Sequence, residues 1–248
     1  VSKLRKRNRK FEKSLKENEK HFETNVIQIK NFERKQKEIS LIPKSVNQEK
    51  LLLELENDSK NIVVVVGPAG TGKTMLSTLW AIKAFRERRY DKIVISRPNV
   101  EVDDRGIGYL PGDIFSKMHP WMLPILDYFK EYYTNEQIEL MMKMEIIEIV
   151  PLPFIRGRTF KNSVILIDES QNLTVNSIKS ILTRIGENSK MILTGDIKQS
   201  DHGDRSGLYD FIKRIENKNP KFISIVNLDS KDVFRHESVA EILELYEK

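Results

Sequence analysis

Gly67-Pro68-Ala69-Gly70-Thr71-Gly72-Lys73-Thr74 is the stretch on which the reading of this chain turns. It spells G-x-x-x-x-G-K-T, the P-loop pattern. An apolar β-branched run, Ile62 to Val66, stands before it, and a helical pattern of Met75, Leu76, Leu79, Ile82 and Phe85 follows. A strand, a glycine-rich turn and a helix are the context in which the pattern carries chemistry. Glycines let the turn close tightly, so that successive backbone N–H groups converge on phosphate oxygens. The helix N-terminus adds free N–H groups and partial positive charge. All eight residues, Gly67, Pro68, Ala69, Gly70, Thr71, Gly72, Lys73 and Thr74, are therefore expected at a bound nucleotide. Lys73 is expected to reach the β- and γ-phosphates, and the Thr74 hydroxyl to hold Mg²⁺.

Composition sets the frame around this motif. The 248 residues are 39% hydrophobic, enough for one large or two small cores. No apolar run approaches the roughly 18 residues of a membrane span. The basic start lacks an apolar stretch, so no signal peptide is expected. There is no cysteine, which excludes disulfides, thiolate catalysis and cysteine-bound zinc. The four histidines, at 21, 119, 202 and 236, show no metal-ligand spacing. A cytoplasmic protein fits this usage. Residues 1–20 carry nine basic and three acidic side chains, so they account for the whole net charge of +6. That arm suits nucleic-acid phosphates or serves as a solubilising tail.

Patterning divides the chain in two. Residues 1–42 read as a basic, partly helical N-terminal appendage ending near Pro43, and 43–248 as one domain. A helix is expected at Val46–Glu56, then strands at Ile62–Val66, Ile93–Ser96, Ile146–Val150, Ser163–Ile167, Met191–Thr194 and Phe222–Val226. Helical runs fall at Ile114–Tyr133, interrupted by Pro120 and Pro124, then at Asn135–Lys143, Thr174–Ile185, Gly207–Glu216 and 237–246. Between Arg97 and Gly112 lies a long irregular stretch, of a length that is usually functional. Strands alternating with helices predict an α/β fold, a mainly parallel sheet with helices on both faces. Ligands then sit at the carboxyl ends of the strands.

Those strand ends carry chemistry. Val164-Ile165-Leu166-Ile167 is followed by Asp168-Glu169, a Walker B arrangement. Asp168 is expected to hold Mg²⁺, and Glu169 to polarise the attacking water. The second acid favours hydrolysis over phosphotransfer to another molecule. Ile192-Leu193-Thr194-Gly195-Asp196 ends in a polar tip, with Gln199 placed to orient water or to sense the γ-phosphate. Arg97, Arg156 and Arg158 are candidates for nucleic-acid phosphates, with surface salt bridges as the plainer role. Phe154 and Phe160 suit stacking on bases, but core packing is the expected role, as it is for Met141, Met142 and Met144.

Three of these stretches, Gly67–Thr74, Asp168-Glu169-Ser170-Gln171 and Thr194-Gly195-Asp196-Ile197-Lys198-Gln199, resemble motifs of superfamily 1 helicases. The closer resemblance is to PhoH proteins, the phosphate-starvation-inducible ATPases. Ser96-Arg97-Pro98, Gly108–Asp113, Arg156–Thr159, Leu182–Gly186, Arg205–Leu208 and Asp229–His236 fit that pattern too, over about residues 43–247. The resemblance implies a RecA-like P-loop NTPase core that hydrolyses ATP with Mg²⁺, with proposed RNA helicase activity. By position, Gln48 would read adenine. Superfamily 1 helicases place ATP between two RecA-like domains, whereas one P-loop and one Walker B stand here. An arginine from a neighbouring subunit is then expected, Arg235 first and Arg205 second, in a ring favoured as a hexamer. Larger relatives have room for a separate nuclease domain that this chain lacks, so no RNase activity is expected. The expected function is an ATPase acting on single-stranded nucleic acid, RNA before DNA. The alternatives are an ATP-dependent nucleic-acid-binding switch that does not translocate and a small-molecule kinase.

Overall fold

A computed structural model describes residues 37–98, 114–216 and 218–234, excepting the side chains of residues 114–119 and 204. Most of the expected appendage, residues 1–36, lies outside that range. So do residues 99–112 of the irregular stretch, Arg235 and the expected final helix at 237–246.

Among the described residues the fold is carried by α1 (Val46–Glu56), β1 (Ile62–Val66), α2 (Lys73–Arg86), β2 (Lys92–Ser96), α3 (Ile114–Lys130), α4 (Asn135–Lys143), β3 (Ile147–Ile149), α5 (Leu152–Ile155), β4 (Ser163–Ile167), α6 (Val175–Leu182), β5 (Lys190–Gly195), α7 (Gly207–Ile215) and β6 (Ile223–Asn227). The six strands form one sheet in the order β3-β2-β4-β5-β1-β6, and every pairing is parallel. The β-branched runs are buried on both faces, as a helix-covered parallel sheet requires. Alternate residues sort into two cores. Val63, Val65, Ile93, Ile95, Val164 and Leu166 pack with Leu51 of α1, Trp80 of α2, Met122 and Phe129 of α3 and Ile138 of α4. Val64, Val66, Val94, Ile165 and Ile167 pack with Ile155 of α5, Ile178 of α6 and Leu208 of α7. The sheet is thus covered on both faces.

The strand order decides where the chemistry falls. β5 lies between the P-loop strand β1 and the Walker B strand β4, with Val66 in register with Gly195 and Ile167 with Leu193. The tips of β1, β5 and β4 therefore stand side by side at one edge.

Two departures from the sequence reading have local causes. α3 runs unbroken through Pro120 and Pro124. Both prolines are exposed, so a carbonyl left without its helical partner faces water, and the cost falls far below that of a buried break. Residues 37–42 precede the expected boundary at Pro43 yet belong to the packed body. Ile39 is buried against the first core, and the Lys37 carbonyl accepts from the Arg86 guanidinium at 2.9 Å. Among the described residues no helix is long and apolar enough to cross a membrane.

Lys190, the first residue of β5, is only 1% exposed. Its ammonium donates to the carbonyls of Leu55 and Asn57, at 2.5 and 3.0 Å, and lies 5.2 Å from the Trp80 ring centre. It thereby closes the C-terminal end of α1, where carbonyls lack helical partners. Burial lowers its pKa to about 8. A lysine whose pKa is lowered by folding binds fewer protons than the unfolded chain between that value and its ordinary one. Its contribution to stability therefore rises with pH across that window. Wild type should gain about 1–2 kcal/mol from this group between pH 8 and 10. In Lys190→Met that gain should be missing, although the substitution costs stability at every pH. Urea unfolding of both proteins along the pH range checks this.

Candidate nucleotide site

The P-loop turns because its glycines can. Gly70 and Gly72 have φ of 87° and 83°, the left-handed region that side chains disfavour. Gly67 is excluded from substitution by space, since a Cβ there would lie 2.6 Å from the Leu228 carbonyl oxygen. The Lys73 ammonium folds back on the loop, donating to the carbonyls of Gly67 and Pro68 at 2.6 and 2.7 Å. Thr71 donates to the Pro68 carbonyl at 2.8 Å. These contacts hold the loop curled.

The Walker B acids meet the loop across a cleft of about 400 Å³ lined by Gln48, Gly70, Gly72, Lys73, Thr74, Tyr128, Asp168, Glu169, Asp196, Gln199 and Phe234, among others. Asp168 Oδ1 accepts the Thr74 hydroxyl at 2.8 Å and the Thr194 hydroxyl at 2.5 Å. One carboxylate and one hydroxyl, both hard oxygen donors, suit Mg²⁺, which takes few protein ligands and fills its shell with water and phosphate. No group of three or more acids, histidines or cysteines able to hold a metal occurs among the described residues, and an ion that keeps most of its water would require none. Burial raises the Tyr128 hydroxyl above its ordinary pKa, with the Asp168 carboxylate adding to the effect.

Glu169 is held differently. Its backbone is left-handed, with φ of 53°, a strain tolerated where the surroundings fix it. Its Oε1 accepts from Arg97 Nη2 at 2.9 Å, and its Oε2 from Gln171 Nε2 at 2.7 Å. Arg97, a nucleic-acid candidate by sequence, thus sits among the Walker B acids, with Nη1 3.9 Å from Asp168 Oδ2. The other two candidates part company. Arg158 forks onto Glu148 at 2.5 and 3.0 Å and lies over the Phe160 ring. Burial opposes ionisation of Glu148, but the bonds from Arg158 and Lys92 outweigh it and lower its pKa. Arg156 is exposed. Phe160 and Met141 are buried in the cores, while Phe154 is half exposed.

Gln48 is buried and fixed at the N-terminal turn of α1. Its Oε1 accepts from the Lys44 N–H at 2.8 Å, and its Nε2 donates to the Thr71 carbonyl at 3.0 Å. One amide hydrogen and one lone pair remain, the pair an adenine edge requires. Phe234 lines the same cleft, 45% exposed, with the Lys44 ammonium 5.5 Å from its ring centre. Its N–H donates to the Gly70 carbonyl at 3.3 Å. The turn before it is braced by Asp232, which accepts from Asn47 at 2.9 Å and from the Asp229 N–H at 2.7 Å. Despite burial, these bonds and one from Ser45 lower the Asp232 pKa. Gln199 is exposed at the cleft, and Arg205 is exposed a few residues on. Arg235 lies outside the described residues.

A model of the family described as PhoH-like protein matches residues 40–247. The chain belongs to the PhoH family. It is 40% identical over 193 residues to a PhoH-like protein of Bacillus subtilis, covering 76% of this chain and 59% of that protein. It is 36% identical over 193 residues to protein PhoH of Escherichia coli K12, covering 76% and 54%. This PhoH chain therefore spans somewhat more than half the length of those relatives. Among solved structures it resembles the large terminase of a thermophilic bacteriophage, with a TM-score of 0.52 at 11% identity, covering 84% of this chain and 51% of that one. That likeness is one of fold alone. The PhoH chain has the RecA-like α/β fold of P-loop NTPases.

One residue of this PhoH site has no role in the sequence reading. Gln171 stands within a motif there, but in the structure it is 2% exposed and central. Besides holding Glu169, its Oε1 accepts the Asp196 N–H at 3.1 Å. Its own carbonyl accepts the hydroxyls of Ser200 and Ser206, at 3.0 and 2.7 Å. It ties the Walker B acids to the loop that carries Gln199. A Cβ on Gly195 would stand 2.9 Å from Gln171 Oε1, so that glycine makes room for the amide. Gln171→Ala should leave the buried Asp196 N–H unpaired and cost about 1–3 kcal/mol in denaturant unfolding. Gln171→Glu, which sets a second carboxylate against Glu169, should cost more.

Proposed function

We propose that this PhoH protein hydrolyses ATP in the cleft and uses the cycle on single-stranded nucleic acid, RNA in the first place, as a helicase or translocase. The observation that carries this reading is the pair of adjacent acids at the tip of β4 facing the P-loop. Asp168 is bonded to Thr74, while Glu169 lines the same cleft. The P-loop amides and Lys73 would bind the phosphates, and Gln48 the adenine. Thr74 and Asp168 would hold Mg²⁺, which would neutralise phosphate charge. Glu169 would take the proton of the attacking water at its carboxylate, and Gln199 would orient that water. A kinase excludes water and has little use for the second acid, which favours hydrolysis.

The cleft lies at the carboxyl ends of β1, β5 and β4, and an arginine from a neighbouring subunit would complete it. Such a finger is worth about 10³–10⁵ in rate. A head-to-tail contact of that kind closes into a ring where its rotation permits, and we take that ring as a hexamer. Arg235 is the first candidate and Arg205 the second.

Lys73→Ala should lose nucleotide affinity and turnover together. Glu169→Gln should keep affinity and lose turnover by roughly 10²-fold or more. Binding of a fluorescent ATP analogue and phosphate release measure the two separately. Wild-type turnover in Glu169→Gln would contradict the role of the acid.

The trans arginine has its own check. Lys73→Ala and Arg235→Ala, each inactive alone, should recover part of the ATPase activity when their subunits are mixed and exchanged. Each intact P-loop can then border an intact arginine. No recovery despite measured exchange would contradict a finger at Arg235, and the same mixture with Arg205→Ala tests the second candidate.

A further inference from the structure

The guanidinium of Arg97 stands where no nucleotide role requires it. It is absent from the residues that line the cleft and reaches the Walker B acids from the side of β2. Its Nη2 holds Glu169 Oε1 at 2.9 Å, and its Nη1 donates to the Trp121 carbonyl at 3.3 Å. Gln171 holds the other oxygen of Glu169 at 2.7 Å. Both oxygens of the proposed general base are thereby engaged by donors, and the carboxylate is anchored at the sheet edge.

The Arg97 side chain is 23% exposed, so it can be reached from solvent. It follows β2, and neighbouring β3 leads through α5 to the exposed Arg156. Trp121, whose carbonyl Arg97 holds, is 40% exposed. Cationic groups next to an exposed aromatic ring make a surface for a single strand, whose phosphates take guanidinium and whose bases stack. A phosphate offers Arg97 the same forked geometry as a carboxylate. The exchange of partners leaves the guanidinium satisfied and Glu169 with one free oxygen beside the cleft.

We propose that Arg97 is a positioning residue that keeps the Glu169 carboxylate engaged, and so unable to take a proton from water, until a nucleic-acid phosphate takes its guanidinium. This rests on the ATPase reading above. The ion pair Arg97–Glu169 is the two-state element, and nucleic acid and catalysis compete for its two ends. Binding of a strand must then break the pair, so loss of Glu169 favours the strand and loss of Arg97 releases the base.

The test is a double-mutant cycle on the full chain. In the absence of ATP, anisotropy of a fluorescein-labelled oligouridine should show Glu169→Ala binding about two- to tenfold tighter than wild type. In an Arg97→Ala background the same change should have no effect. A gain that persists without Arg97 is a mere charge effect and overturns the proposal. In phosphate release without RNA, Arg97→Ala should exceed the wild-type basal rate about fivefold or more, and added oligouridine should stimulate it little. A basal rate below wild type shows that Arg97 supports the base or the γ-phosphate, and overturns the proposal. Arg97→Gln replaces Arg97→Ala where the latter does not fold. If wild type itself neither releases phosphate nor binds oligouridine, the ATPase reading fails and takes this inference with it. If wild type does both and the cycle shows no coupling, the inference fails alone.

Discussion

One carboxylate oxygen joins three segments of this protein. Asp168 Oδ1 accepts a hydroxyl from Thr74 at the start of α2 and another from Thr194 at the end of β5. β5 lies between β1 and β4, so the P-loop and the Walker B strand are not neighbours in the sheet. They are brought to one cleft by this shared acceptor and by the turn that leads α2 back across the strand tips. Loss of the Asp168 carboxylate would therefore loosen the loop as well as remove the acid proposed to hold Mg²⁺. Thr74 contributes to both functions, bonding to the acid here and able to turn a lone pair to an ion.

The intervening strand gives the site its second layer. Because β5 runs beside β4, the segment after Gly195 passes over Ser170 and Gln171. The Ser170 hydroxyl donates to the Thr194 carbonyl at 2.7 Å. Gln171 joins Glu169 on one side to Asp196 and Ser200 on the other. A shift of the Gln199 loop is thus felt at Glu169 through a single buried amide. Buried polar networks of this kind are rigid when every member is paired. In the proposed switch that rigidity leaves the Arg97–Glu169 ion pair as the contact that exchanges.

The sheet is legible in the sequence because its strands are short β-branched runs bounded by turn residues, and the candidate site side chains follow directly on the strands. Lys73, Thr74, Asp168 and Glu169 can be placed for that reason. Contacts made between strands leave no such trace. Arg97 looks free in the sequence because nothing in its neighbourhood along the chain shows that β2 lies beside β4. Gln171 looks like an ordinary polar residue after a strand, although its spacing from Asp168 is a usable signal. Arg158 suits a phosphate by sequence, while its partner Glu148 stands on β3, where an edge strand leaves a charge available. Pro120 and Pro124 suggest breaks, because a sequence does not show which face of a helix meets water. Phe234 draws no notice because Asp232, which fixes its turn, is bonded to Asn47 of α1, far away along the chain.

The central claim is that an ATPase site and a strand-binding edge share the tip of one sheet. Steady-state phosphate release by wild-type protein, with single-stranded RNA and then single-stranded DNA titrated in at constant ATP and Mg²⁺, tests it most directly. The account predicts slow basal turnover that rises saturably with single strands, more strongly with RNA. A rate that is unchanged at strand concentrations shown to saturate binding would contradict it.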